Sequence, residues 1–132
     1  MSKILPKYPI FIPSHKRSDV CLTPRLFMEH GVPFKLVVDE TEYEKYEKIF
    51  GTERMLLLPF LNDGTSAPPR SWITDYSRKQ GDHRHWQIDD NIRWFCHFNG
   101  RTRIQIQPNL GLRLCEEFCD QWKNVGIYGP YY

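Results

Sequence analysis

The sequence lacks any apolar run of the roughly 20 residues needed to cross a membrane. Its first residues are interrupted by Pro6 and do not form the apolar stretch of a secretory signal peptide. Internal repeats and low-complexity segments are absent as well. Only four cysteines occur, and without a secretory signal we expect them to be reduced thiols. These absences predict a cytoplasmic protein without a membrane partner.

A strong charge imbalance is also missing. The 18 basic and 16 acidic residues leave a net charge of +2, which permits nucleic-acid binding without demanding it. Hydrophobic residues make up 40% of the chain and aromatic residues 14%, which is enough for a packed core. The length of 132 residues predicts one domain, spanning residues 1–132.

Strand-like and helix-like segments alternate from the N-terminus to Asp90. The strand-like runs are residues 9–14, 34–40, 54–59 and 85–88. Helices are predicted to begin at Thr23-Pro24, Thr41 and Pro68, and to end near Gly31, Gly51 and Gly81. Thr23 and Thr41 are the predicted N-caps, the second in a capping box with Glu44. This alternation predicts an α/β fold with a mainly parallel sheet flanked by helices.

A hairpin and a further helix are predicted after Asp90. Asn99-Gly100 is a strong turn signal, with residues 93–98 and 101–107 as the two arms. The helix is predicted to span about residues 110–123, and a strand is expected to begin at residues 125–128. The four tryptophans are expected to lie mostly in the core.

The hairpin allows two interpretations. Three of its aromatic residues could stack on nucleic-acid bases: Trp94, Phe95 and Phe98. Three arginines would then contact phosphates: Arg93, Arg101 and Arg103. A packed sheet with a charged outer face is the favoured alternative.

The adjacent carboxylates of Asp89 and Asp90 end the fourth predicted strand. Two like charges this close resist joint ionisation unless a cation lies beside them. Carboxylate oxygens suit Mg²⁺ or Mn²⁺, and such a metal usually has a phosphate on its other side. The pair therefore indicates nucleotide or nucleotide-sugar chemistry. Because successive side chains of a strand point to opposite faces, the two aspartates can share one metal only if the chain turns there, and Asn91 is a plausible place for the turn. The alternative is a helix N-cap at Asp90 or Asn91 beside a surface acid.

Polar residues follow the other predicted strands, at residues 14–17, 39–40 and 63–64. Because ligands bind beyond the carboxyl ends of parallel strands, we expect these residues to converge with the Asp pair. Lys16 and Arg17 would contact phosphate or a DNA backbone, or else remain solvated. Asp39 and Glu40 would bind ribose or base, or else complement the dipole of the following helix.

Arg70 is predicted to lie at the start of the third helix. The free N–H groups and the dipole at a helix N-terminus favour phosphate, and an arginine adds bidentate hydrogen bonds. The alternative is a surface salt bridge with Asp63 or Asp75.

Four segments of the chain resemble the GT-A nucleotide-sugar transferases, and most closely the phage and TET-associated glycosyltransferases. The segments are residues 12–18, 37–40, 69–72 and 86–92, and their order and spacing agree with the resemblance. The Asp-Asp-Asn-Ile tetrad of residues 89–92 is the most specific of them. The resemblance implies a GT-A-like, Rossmann-like fold, of which this chain is expected to hold an incomplete, donor-binding part.

The resemblance also implies roles for particular residues. Asp90 would ligate Mn²⁺ or Mg²⁺, Asp89 would contact the metal, ribose or sugar, and Arg70 would face the diphosphate, so these three form the expected catalytic set. The nucleoside of a UDP-hexose donor would be held by Pro13, Ser14, Lys16, Arg17, Asp39 and Glu40. The implied acceptor is a hydroxymethylated pyrimidine in DNA, and the implied location is the cytoplasm of a phage-infected host.

Other functions remain open at this point. A nucleotidyltransferase-like enzyme with two metals would need a third acid, and only Asp39 or Asp63 is available. A non-catalytic half-domain that binds a nucleotide sugar or DNA would pair with another chain, either a second copy or a missing C-terminal half. A zinc site would need His83 and His85 to join Cys115 and Cys119, although ordinary polar and core positions are favoured.

Overall fold

The structure, a computed structural model, describes residues 3–130, which form two β-sheets and four α-helices. The elements in chain order are β1 (Ile10–Pro13), α1 (Thr23–Glu29), β2 (Lys35–Val38), α2 (Tyr43–Phe50), a 3-10 helix (Thr52–Arg54), β3 (Met55–Leu57), α3 (Ala67–Lys79), β4 (Trp86–Gln87), β5 (Phe95–Phe98), β6 (Arg103–Ile106) and α4 (Pro108–Asp120). None of the helices in this part of the chain is both long and apolar enough to span a membrane.

The main sheet has four parallel strands in the order β3-β2-β1-β4. This arrangement confirms the predicted α/β fold with a mainly parallel sheet. Successive side chains of a strand point to opposite faces, so each face of the sheet builds its own core. On one face, Ile12 and Leu36 pack with the buried residues Phe27, Tyr46 and Leu112, which come from α1, α2 and α4.

The other face of the sheet is covered by α3. Phe11 and Val37 pack there against Ile73, with Trp72 and Tyr76 partly buried beside them. Helices therefore lie on both faces, as expected for a parallel sheet built from alternating strands and helices.

The strand order reverses direction between β1 and β4. After β1 the chain builds outward to β2 and β3, and then α3 carries it back to place β4 on the other side of β1. In open α/β sheets, ligands bind in the crevice at such a switch point, beyond the carboxyl ends of the strands. Here that crevice is bordered by the residues after Pro13 and after Gln87.

Two predicted N-caps are wrong. Leu22 and Glu42 occupy the N-cap positions of α1 and α2, and neither helix start has a side-chain cap. The Thr23 hydroxyl donates to the Asp89 carbonyl, and the Thr41 hydroxyl donates to Asp39. Both hydroxyl groups thus bind residues at strand ends rather than the first helical turn.

The region after Asp90 is only partly as predicted. The β5–β6 hairpin and α4 are confirmed, but residues 125–128 form no strand. The Val125 carbonyl instead accepts a hydrogen bond of 2.9 Å from Arg84. The expectation that the tryptophans are mostly core is wrong for Trp94 and Trp122, which are 52% and 55% exposed.

Candidate functional site

The chain turns at the two adjacent aspartates, as their proposed joint role requires. Strand β4 ends at Gln87, and a turn follows at Asp90 and Asn91. The Asp90 carbonyl accepts hydrogen bonds from the Leu22 and Thr23 amides, at 2.7 and 3.1 Å. The next element is β5, so the alternative of a helix cap at Asp90 is wrong. The first turn of α1 therefore holds the aspartate turn in place.

The Asp90 carboxylate joins the ends of β4 and β1. Its Oδ2 accepts a hydrogen bond of 2.5 Å from Ser14 Oγ and lies 3.3 Å from Arg17 Nε. The Asp90 side chain is 13% exposed and the Arg17 side chain 45%, so the carboxylate is shielded from water while the arginine stays accessible. The structure thus brings together three of the predicted site residues at the switch-point crevice.

Tyr46, which the sequence analysis did not select, completes this arrangement from α2. Its hydroxyl lies 2.6 Å from Ser14 Oγ and accepts a hydrogen bond of 3.0 Å from the Arg17 amide. Because a hydroxyl has one proton and that of Ser14 goes to Asp90, Tyr46 must donate to Ser14. The proton donors then run in one direction, from Arg17 through Tyr46 and Ser14 to Asp90.

Tyr46 is fully buried, and burial raises the pKa of its phenol above the ordinary value, although the bonds to Ser14 and Arg17 partly oppose this. The phenol therefore keeps its proton, and the chain of donors stays intact at neutral pH. The available sequence signal was a tyrosine on the buried stripe of a helix, whose hydroxyl needs a partner.

Arg70 and Asp89 form a second ion pair next to the first. The Arg70 guanidinium donates to Asp89 Oδ1, and the two side chains are 37% and 47% exposed. The suggested partners Asp63 and Asp75 are not the ones used. This more open pair leaves the arginine accessible to an anion from solvent.

The N-terminus of α3 offers few backbone donors for an anion. Pro68 and Pro69 have no N–H group, and the Arg70 amide is bonded to the Ser66 carbonyl at 3.3 Å. The expectation of several free N–H groups there is therefore wrong. Any phosphate at this helix would be bound by the Arg70 side chain.

Asp39 and Glu40 lie in different surroundings. Asp39 is buried, and its carboxylate accepts hydrogen bonds from the Thr41, Glu42 and Asn62 amides, at 3.0, 3.2 and 2.8 Å. Burial alone would raise the pKa of Asp39, but the bonds from Thr41, Asn62 and Glu42 outweigh it and hold the pKa below its ordinary value. Glu40 is exposed. Asp39 therefore supports two loops, and Glu40 is the more accessible acid.

The loop after β1 has an unusual backbone. Lys16 adopts a φ of 53°, which side chains other than glycine seldom accept. Its neighbour His15 has a buried Nδ1 without a hydrogen-bond partner in the described part of the chain. Pro13 is half-buried and Lys16 exposed. This loop folds back so that Arg17 reaches Asp90.

The predicted phosphate-binding residues line two different surface depressions. Arg70 and Asp89 line an open cleft of about 1820 Å³ that extends to the β5–β6 hairpin. Lys16 and Arg17 line a smaller depression of about 820 Å³ together with Lys45 and Lys48 of α2. Eight of the nine predicted site residues thus lie at the ends of β1, β2 and β4, and Arg70 of α3 joins them through Asp89, so the nine do not share one pocket.

The sequence profile of the TET-associated glycosyltransferases matches residues 8–130, nearly the whole chain. The chain belongs to the TET-associated glycosyltransferase family. Membership confirms the resemblance and identifies the protein as a glycosyltransferase. No curated protein and no solved structure matches the chain.

The aspartates of this glycosyltransferase fit a divalent metal that takes its other ligands from a substrate. Asp90 Oδ1 and Asp89 Oδ2 accept no hydrogen bond within residues 3–130, so each carboxylate has a free oxygen. The same residues contain no group of three or more His, Cys, Asp or Glu side chains suited to a metal. Mg²⁺-type sites often use one or two carboxylates with substrate phosphates.

If the aspartates hold a metal and a nucleotide sugar, replacing Tyr46 with phenylalanine should weaken that binding about tenfold, as loss of a group behind a metal ligand commonly does. The ring would stay buried, but Ser14 would lose the donor that orients it towards Asp90. Isothermal titration with UDP-glucose measures the change. Tyr43→Phe, on the same helix and half-buried, is the matched control. Equal UDP-glucose affinities of the Tyr46→Phe and Tyr43→Phe variants would show that the Tyr46 hydroxyl does not contribute to donor binding.

Proposed function

We propose that this glycosyltransferase transfers a hexose from a nucleotide sugar, with a UDP-hexose as donor, and that it requires Mn²⁺ or Mg²⁺. The acceptor in this proposal is a hydroxymethylated pyrimidine in DNA. The observation that carries the proposal is the shielded Asp90 carboxylate, which Ser14 and Arg17 hold at the switch-point crevice.

The two ion pairs support a site for a metal diphosphate. Asp89 and Asp90 are each paired with an arginine, so the crevice already joins two anions and two cations. A metal diphosphate provides the same charges, so each arginine can bind a phosphate oxygen while each carboxylate faces the metal. The site would thus exchange one set of ion pairs for another without burying an unpaired charge.

The chemistry follows from where charge develops. The acceptor hydroxyl oxygen forms a bond to the anomeric carbon of the hexose and loses its proton. As the bond between that carbon and the diphosphate oxygen breaks, negative charge grows on the leaving diphosphate. Arg70 and Arg17 would stabilise that charge through charge-assisted hydrogen bonds, a common way to lower the barrier of such a step. The metal, held by Asp90 with Asp89 beside it, would supply further positive charge to the same oxygens.

The nucleoside would lie at the carboxyl ends of β1 and β2. Glu40 is exposed there and can accept hydrogen bonds from ribose hydroxyls. The loop that covers the nucleoside would be formed by Pro13, Ser14 and Lys16. Asp39 would support the site indirectly, through its hydrogen bonds to the Thr41, Glu42 and Asn62 amides.

A nucleotidyltransferase with two metals is less well supported. Its third acid would be Asp39 or Asp63, and both are occupied. Asp39 is buried under three backbone amides, and Asp63 accepts hydrogen bonds from the Thr65 amide and hydroxyl, at 2.9 and 2.6 Å.

Calorimetric titration of the EDTA-treated protein with UDP-glucose, with and without Mn²⁺, tests the proposal. We expect Mn²⁺ to raise the affinity at least about tenfold, because the carboxylates repel a bare diphosphate and attract a metal-bound one. An affinity for UDP-glucose that is the same with and without Mn²⁺ would contradict the proposed metal requirement. UTP is the second titrant, because hydrolysis or transfer with UTP but not with UDP-glucose would favour nucleotidyl transfer. Donor binding without any sugar transfer to hydroxymethylated DNA would favour the binding half-domain.

A further inference from the structure

One stretch of the chain carries positive charge without any acid. From Asn91 to Cys115 the sequence contains four arginines and no Asp or Glu, although the whole chain has only two more basic than acidic residues. Arg113 pairs with Glu117 on α4. The other three, Arg93, Arg101 and Arg103, are exposed and take part in no ion pair within residues 3–130. The hairpin is therefore a local cationic surface.

The same hairpin exposes aromatic side chains. Phe95 packs against Gly111 of α4, where an added Cβ would lie 3.3 Å from the ring. Side chains alternate along a strand, so Phe98 points to the face away from that contact. Phe98 is 64% exposed and pairs in register with Arg103, and Trp94, just before the strand, is 52% exposed.

We propose that the β5–β6 hairpin binds single-stranded nucleic acid. Trp94 and Phe98 are four residues apart, about 13 Å along an extended strand, which suits stacking of two separated bases. Flat base faces are accessible in a single strand and hidden inside a duplex. The unpaired arginines complement the phosphates that lie between those bases.

The position of the hairpin suits a long ligand. Strand β5 and Arg103 line the same open cleft as Arg70 and Asp89. Its volume of about 1820 Å³ exceeds the roughly 300–1000 Å³ of ordinary small-molecule sites. A strand stacked on the hairpin would therefore pass towards the aspartate turn, although its binding does not depend on the proposed sugar donor.

Fluorescence anisotropy with a labelled 12-nucleotide oligothymidine tests the proposal in the absence of any sugar nucleotide. We expect a slope of log affinity against log salt of about −2, because three arginines release about 0.7 counterion each from a single strand. Trp94→Ala and Phe98→Ala should each weaken binding about tenfold. Arg103→Gln should reduce the salt slope by about 0.7. Two control variants lie outside the cleft: Trp122→Ala removes an exposed aromatic ring, and Lys79→Gln removes an exposed positive charge. Both should bind the oligothymidine like the unmodified protein.

Cys96 gives an independent test on the unmodified protein. It lies between the two aromatic residues and is the one cysteine of the four that is exposed. Bound oligothymidine should slow its alkylation by N-ethylmaleimide at least fivefold. Absence of salt-dependent binding, unchanged affinity in Trp94→Ala and Phe98→Ala, equally tight binding of a duplex, or an unprotected Cys96 would each overturn the proposal. Failure here with intact UDP-glucose binding would leave the donor site unaffected.

Discussion

Replacing Asp39 with alanine is expected to lower the free energy of unfolding by about 3–5 kcal/mol, because truncation leaves several buried amides without an acceptor. Asp39 is 2% exposed and joins the start of α2, through Thr41 and Glu42, to the loop at Asn62. Urea denaturation at pH 7 measures the loss. Asp75→Ala, an exposed acid on α3, should change stability by less than about 0.5 kcal/mol.

The same variant should reveal a defined pH dependence. The pKa of Asp39 in the folded protein lies below its ordinary value, since its hydrogen bonds outweigh its burial. Its contribution to stability is therefore fully present above the unfolded pKa of about 3.9 and is lost as the pH falls through the folded pKa. The stability gap between the unmodified protein and Asp39→Ala should narrow below about pH 4. A gap that widens there would contradict the hydrogen-bonded, ionised state of Asp39.

Replacing Asp90 with asparagine is expected to lower Mn²⁺-dependent affinity for UDP-glucose by at least about 100-fold. Asparagine keeps the size of the side chain and can still accept the hydrogen bond from Ser14. It removes the charge that the metal requires and leaves Arg17 unpaired, so the loss should exceed the 10–100-fold typical of groups that merely support a metal ligand.

Asp75→Asn is the matched control for Asp90→Asn, because it removes an exposed charge from α3 and should bind the donor normally. Asp89→Asn should have an intermediate effect, since Asp89 is more exposed than Asp90 and pairs with Arg70. Unchanged binding in Asp90→Asn would show that the metal, if used, lies elsewhere. An equal loss in the Asp75→Asn control would point to general electrostatics instead of a site.

Local patterns in the sequence predicted the architecture and the position of the aspartate turn. Alternating apolar runs and helix-ending glycines suffice for this, and Gly31 and Gly81 indeed have φ values of 68° and 83° after their helices. The convergence of Ser14 and Arg17 with Asp90 followed from the rule that strand ends carry ligands. These inferences rest on spacing along the chain, which the sequence shows directly.

Contacts between distant residues could not be predicted in the same way. Tyr46 reaches Ser14 across 32 positions, and Thr23 reaches the Asp89 carbonyl across 66. A threonine before a helix has two uses, and only the packed structure decides whether its hydroxyl caps the helix or bonds elsewhere. The exposure of Trp94 could not be predicted for a similar reason, because the hairpin packs on α4 through Phe95 and Ile106 and leaves Trp94 outside that contact.

A crystal structure of the protein with Mn²⁺ and UDP-glucose tests the central claim most directly. We predict an anomalous manganese peak bonded to the Asp90 carboxylate, with the diphosphate contacting both the metal and the Arg70 guanidinium. The Arg70–Asp89 ion pair should be broken in that complex. A well-ordered donor bound in the lysine-lined depression beside α2, with no metal at Asp90 and the Arg70–Asp89 pair intact, would contradict the account.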